Sequence, residues 1–221
     1  MLSCRNPPLG LNRYEYFPEA NGFEAPATFA AIRAEVNTYL DSRTVPCLHE
    51  TVPDIRISSA VGEGGQCWRF LPLKKLGKLD EKHRTHFPAL FDLLEQDCIA
   101  NAIISSLDPG TVIPAHRGYF KGFIRYHLAI EAPTDAPASI TCGGIRYEWK
   151  TGEGILFDDT FIHSVINPSR SRRTVLYLDI KRRNLPPYVQ RMTDAVYAAV
   201  AGNKLLQAAL ADQHKTQSID E

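Results

Sequence analysis

The chain has 221 residues, 44% of them hydrophobic and 23% charged, with 25 Lys+Arg balancing 25 Asp+Glu. This length favours a single domain over residues 1–221, large enough to bury a substantial core, and the composition excludes a disordered chain. The balanced charge provides no global field for nucleic acid or an anionic membrane, so no nucleic-acid partner is expected.

No apolar run reaches the ~18–20 residues of a bilayer span, so no transmembrane segment is expected. The opening Met1-Leu-Ser-Cys-Arg-Asn-Pro-Pro lacks the apolar core of a secretory leader, and a cytoplasmic location follows as an expectation. Cys4, Cys47, Cys67, Cys98 and Cys142 are odd in number, widely separated and without a Cys-x-x-Cys pair. That pattern argues against a disulfide framework or a thiolate zinc site and for reduced, structural thiols.

In chain order, Phe29, Ile32, Val36 and Leu40 recur at helical spacing, with Pro26 where a first turn tolerates it, and predict a helix over 24–41. A shorter helix is expected after Pro88, through Leu90, Phe91, Leu93 and Leu94. From Ile103 to Ile180 the pattern changes to short β-branched and aromatic segments separated by Pro, Gly and Asp turns. The clearest hairpin joins Ser139-Ile-Thr-Cys142 to Ile145-Arg-Tyr-Glu-Trp-Lys through Gly143-Gly144, two residues suited to the positive φ of a tight turn. After Pro187, Val189, Met192, Val196 and Val200, then Leu205 to Leu210, predict helix over 187–213. The expected architecture is mainly β with flanking helices, a jelly-roll core over about 60–187.

Seven histidines are present, and His116, His127 and His163 fall in the strand-rich segment. His116 and His163 each follow a turn and are expected near strand starts, where two neutral imidazoles could hold a divalent metal. Alternation turns Arg125 and His127 to one sheet face, against Ile124, Tyr126, Leu128 and Ile130. It turns Arg173, Val175 and Tyr177 to one face, against Thr174, Leu176 and Leu178. A buried arginine is costly unless paired, and a guanidinium suits a carboxylate held by two parallel hydrogen bonds. Two arginines beside two metal ligands imply a dicarboxylate that chelates the metal at one end. The competing arrangement is an ion pair with Asp158, Asp159 or Glu148.

The stretch Ser105-Ser-Leu-Asp-Pro-Gly-Thr-Val-Ile-Pro-Ala-His116-Arg-Gly118, with Arg125-Tyr-His127, Phe157-Asp-Asp-Thr-Phe-Ile-His163 and Arg173, resembles the aspartyl/asparaginyl β-hydroxylase family of iron(II)- and 2-oxoglutarate-dependent oxygenases. The resemblance extends over about Trp68 to Pro187 and implies a double-stranded β-helix of cupin type. It implies His116 and His163 as iron ligands, Arg125 and His127 at the metal-chelating end of 2-oxoglutarate, and Arg173 with Ser105 on its distal carboxylate. Fe(II) is the implied cofactor, with 2-oxoglutarate and O2 as cosubstrates. Gly118 stands where many such oxygenases carry a third, carboxylate ligand, an absence the family shares. Asp158 and Asp159 are expected to shape their turn or bond around the ligands rather than coordinate.

The substrate implied is a small molecule, peptide or acyl chain. Arg117, Lys121, Arg170 and Arg172 form an expected basic rim that would favour an acidic one. Trp68, Trp149 and Tyr147 line a pocket or the core. Cys142 carries no sign of a nucleophile. His83 and His86 belong to a polar run expected at the surface, Lys181-Arg-Arg is expected to be solvated, and His49 and His214 carry no pattern. Two other classes share the same core: an organic-acid-binding module without turnover, and a cupin-like metalloenzyme that needs no cosubstrate.

Overall fold

The computed structural model describes residues 9–48, 66–118, 120–183 and 185–203. Helices α1 (Arg13–Tyr16), α2 (Ala20–Glu24) and α3 (Pro26–Ser42) come first. Extended backbone at Ala25 separates α2 from α3, and Pro26 opens α3 in its first turn, where a missing N–H is harmless. Strands β1 (Trp68–Lys75) and β2 (Lys78–Leu79) precede a 3-10 turn (Glu81–His83) and α4 (Pro88–Leu94). Eight strands follow: β3 (Ile99–Leu107), β4 (Val112–His116), β5 (Phe123–Glu131), β6 (Ser139–Cys142), β7 (Ile145–Glu148), β8 (Gly154–Phe157), β9 (His163–Ile166) and β10 (Arg173–Lys181). Helix α5 spans Pro187–Gly202; the segment Leu205 to Leu210, along with His49 and His214, lies outside the described residues.

The strands form two antiparallel sheets, one of order β2-β1-β3-β10-β5-β8 and one of order β4-β9-β6-β7. The fold is mainly β, a cupin-like jelly roll. Gly143 and Gly144, at φ +56° and +84°, close the β6–β7 hairpin in the expected two-residue turn.

Alternation along β5 and β10 divides the interior into two clusters. Ile124, Tyr126, Leu128, Leu176 and Leu178 pack with Phe23, Ile32, Val36 and Leu90 from the helices. The opposite face, with Val175 and Tyr177, meets Ile113, Ile140, Val165 and Trp149 of the smaller sheet's layer. The candidate site residues on β5 and β10 lie on this second face, between the sheets.

Three expectations fail here. Cys47 and Cys67 form a disulfide, with Cα atoms 5.8 Å apart, so these thiols are not reduced and one ground for a reducing compartment is removed. His83 is buried, its ring edge-on to Tyr39 and Phe87. Of the Lys181-Arg-Arg run, Arg182 pairs with Asp158 at 2.7 Å and Lys181 lies over the Tyr197 ring, so the run is not simply solvated. No helix among the described residues is long and apolar enough to cross a membrane.

Candidate active site

His116 is the last residue of β4 and His163 the first of β9, and the two are register partners. They therefore sit side by side in one sheet, with ring centroids 4.2 Å apart. Only His163 is at a strand start; His116 is at a strand end. The His116 Nδ1 lies 2.7 Å from the Pro114 carbonyl and the His163 Nδ1 2.9 Å from the Phe161 carbonyl. A carbonyl can only accept, so each Nδ1 carries a proton; in the neutral ring that leaves the lone pair on Nε2, the tautomer a metal ligand needs. Burial holds His163 neutral by lowering its pKa to about 4.

The neighbouring carboxylates are already engaged. Asp158 accepts from Thr160 through Oδ1 and pairs with Arg182 through Oδ2. The Asp159 carboxylate lies over Gly118, where any Cβ would collide with it, and pairs with Arg125 at 3.0 Å. Among the described residues no group of three His, Cys, Asp or Glu side chains is placed to hold a metal. The donor set is two imidazoles, and it fits a ferrous ion whose other positions are filled by non-protein ligands.

Arg125 and Arg173 behave differently. Arg125 pairs with both Asp159 and Asp179 at 3.0 Å and lies over the Tyr177 ring. Its charge is thus balanced by the protein itself, Asp159 being one of the partners that the competing arrangement named. Among the described residues Arg173 has no such partner: it is 1% exposed, and its Nε and Nη1 have no hydrogen-bond partner there. Burial lowers its pKa to about 9.

His127 is close enough to Arg173 and His163 to interact electrostatically with both, and its ring lies 5.0 Å from the Phe157 ring and 5.3 Å from Tyr177. Both its nitrogens are buried without a partner. Burial, and then the Arg173 charge, hold it neutral. Ser105, buried on β3, accepts a 2.8 Å hydrogen bond from the Trp68 indole. Val175 on β10 is its register partner, two residues from Arg173 on the same face.

The sequence reading missed Asp179. The alternation that puts Arg173, Val175 and Tyr177 on one face continues to Asp179, and register places it directly opposite Arg125. The basic rim is smaller than expected. Arg170 and Arg172 follow the far end of β9 from His163, and Arg172 pairs with Asp108 at 2.8 Å. Arg117 and Lys121 remain exposed on the segment after His116. The Cys142 thiol, pushed up to about 12 by burial, donates to the Asp158 carbonyl, as befits a structural cysteine.

Two facing antiparallel sheets with convergent polar side chains between them define a cupin-like double-stranded β-helix protein. The family model described as aspartyl/asparaginyl beta-hydroxylase matches residues 26–183, and the chain belongs to that family. It is similar to an ornithine lipid ester-linked acyl 2-hydroxylase of Rhizobium tropici, 26% identical over 154 residues, 68% of this chain and 53% of the relative. It is also similar to aspartate beta-hydroxylase domain-containing protein 2 of Mus musculus, 33% identical over 101 residues, 44% of this chain and 29% of that protein. The chain thus spans about half the length of the first relative and under a third of the second. Among solved structures it is similar to a Pseudomonas putida prolyl-4-hydroxylase, with TM-score 0.43 and 13% identity over 70% of this chain and 88% of that one.

Proposed function

We propose that the chain is an iron(II)- and 2-oxoglutarate-dependent dioxygenase that hydroxylates an unactivated C–H bond on an acidic, aspartyl- or asparaginyl-type substrate. The observation that carries this reading is the unpaired Arg173, buried in the same interior as the His116–His163 pair. A buried cation without a counter-ion is expensive, which makes sense if a bound ligand supplies the anion. A guanidinium fork matches a carboxylate better than any other common anion of metabolism except phosphate. Membership of a hydroxylase family supports the reaction class.

His116 and His163 would hold the metal through Nε2, their rings oriented by the Pro114 and Phe161 carbonyls. Arg173 and Ser105 would take the distal carboxylate, the Ser105 hydroxyl keeping its proton to donate while its oxygen accepts from Trp68. His127 and Arg125 line the interval towards the metal, with Arg125 locked by Asp159 and Asp179 so that it donates from a fixed position. When bound, iron would let O2 act as oxidant and oxygen source, with 2-oxoglutarate giving up two electrons as it is decarboxylated to succinate; the protein supplies orientation and exclusion of water. This requires no acid–base dyad.

Exposed Arg117 and Lys121 favour the acidic substrate. Exposed Ile162 beside His163, and Ile145 one hairpin away, favour a second class, an acyl chain, which the name of the Rhizobium relative also raises. Anaerobic titration with Fe(II) and then 2-oxoglutarate tests the site: a weak visible charge-transfer band that needs both histidines is expected. Aerobic incubation with peptide and acyl-lipid candidates should then give a one-oxygen mass gain with equimolar succinate. Binding without turnover would identify an organic-acid-binding module instead. Turnover without succinate would identify a cosubstrate-independent metalloenzyme.

A further inference from the structure

We propose that Trp149 is a further cosubstrate-binding residue: its indole N–H donates a hydrogen bond to the bound acid while its ring holds the Arg173 guanidinium in place. This rests on the oxygenase reading above.

Trp149 directly follows β7 and is 2% exposed. Its backbone N–H donates to the Ala138 carbonyl at 3.2 Å, which fixes the residue to the strand it faces. The Arg173 Cζ sits 4.6 Å from the centre of its ring, and the His127 ring is stacked on it at 5.9 Å and 24°. Trp149 is thus the side chain that joins His127 to Arg173.

All three residues carry unsatisfied buried polar atoms. Of nine such side-chain atoms among the described residues, five are His127 Nδ1 and Nε2, Trp149 Nε1, and Arg173 Nε and Nη1. An orphaned buried polar atom is rare and costly, and five together in one contact cluster mark a place prepared for a ligand. Their chemistry specifies that ligand. The indole and guanidinium nitrogens can only donate, and a neutral imidazole donates from one nitrogen, so the cluster presents four donors against one acceptor. It therefore suits an oxygen-rich acid. Trp68, the chain's other tryptophan, differs because its indole is already spent on Ser105.

The alternative is that Trp149 only fills space. Trp149→Phe separates the two, since it keeps an aromatic ring against Arg173 and removes the N–H. The full chain loaded with Zn(II), a diamagnetic stand-in, is titrated with 2-oxoglutarate and followed by calorimetry and by the two indole N–H resonances. Binding to Trp149→Phe is expected to be about tenfold weaker than to wild type, equivalent to ~1.4 kcal/mol. In the wild type, the indole resonance that Trp149→Phe abolishes should move downfield on ligand addition. If the wild type binds 2-oxoglutarate but this resonance stays still and the variant binds equally well, the role of Trp149 is overturned and the oxygenase reading survives. If the wild type binds no 2-oxoglutarate, both fall. Trp68→Phe assigns the same resonance by elimination, so the resonance test stands even if Trp149→Phe fails to fold.

Discussion

His116 and His163 are register partners across β4 and β9, each with Nδ1 on the carbonyl two residues before it and ring centroids 4.2 Å apart. Two imidazoles in that relationship gain little from each other, and the Nε2 lone pairs of their neutral forms suit a shared cation. Removing groups that merely orient a ligand costs about 10–100-fold in metal affinity. His116→Ala or His163→Ala, each deleting one of the two proposed protein ligands, should therefore weaken Fe(II) or Zn(II) binding by more than ~100-fold. Competition against a chromophoric chelator measures this. Retention of wild-type affinity in either variant would remove the metal site.

Arg173 should trade stability against binding. Loss of a charge-assisted hydrogen bond costs about 1.5–3 kcal/mol, so Arg173→Met should weaken 2-oxoglutarate binding by ~10–100-fold. The same change removes a buried cation that has no counter-ion among the described residues. Apolar replacements of buried charges are often stabilising by about 1–4 kcal/mol, so the ligand-free variant should melt higher than wild type. Added 2-oxoglutarate should raise the melting temperature of the wild type more than that of the variant. A variant that melts lower without ligand would mean that Arg173 is a structural residue with its partner elsewhere.

These two predictions use the parts of the site that were legible in the sequence. Strand alternation has period two, so the faces of Arg125, His127 and Arg173 could be assigned without knowing which strands pair. The spacing of His116, His163 and their flanking turns carried the resemblance to the family. Pairing between distant segments was not legible. Arg125 and Asp179 are 54 residues apart, and only the β5–β10 register brings them together. The Cys47–Cys67 disulfide left no trace because neither spacing nor parity of the cysteines singles out that pair. His83 sits in a charged run, and its burial comes from Tyr39 of α3 and Phe87, packing that local polarity cannot reveal. Arg170 and Arg172 are near His163 in the chain, yet β9 carries them to its other end.

The disulfide should anchor the start of β1. Cys67 directly precedes Trp68, whose indole donates to Ser105, and Cys47 bridges to Arg69. A loop with a sequence separation of 20 is closed by the bond, and cross-linking a loop of that size stabilises by about 3 kcal/mol in the chain-entropy model. Cys47→Ser should lower the urea midpoint accordingly, and dithiothreitol should do the same to wild type but not to the variant. Mass spectrometry of the alkylated, non-reduced protein should show Cys47 and Cys67 unmodified and linked. If both are alkylated without reduction, the bond is absent.

Acid should weaken the helical layer through His83. Desolvation lowers its pKa to about 4 from an ordinary 6.5, and Asp80, 3.9 Å away, only partly opposes this. Between those values the unfolded chain binds the proton and the folded chain does not, so stability rises with pH across this window. The contribution is complete above about pH 6.5, declines as the pH falls towards 4, and changes no further below that. Allowing for water at the ring edge, its size is ~1–2 kcal/mol, several degrees of melting temperature for a domain of this length. His83→Phe keeps an aromatic ring against Tyr39 and Phe87 but cannot take up the proton. The stability difference between wild type and His83→Phe should therefore grow, in favour of the variant, as the pH falls from 6.5 to 4. A difference that stays constant over this range would show that His83 is accessible enough to titrate as it does in the unfolded chain.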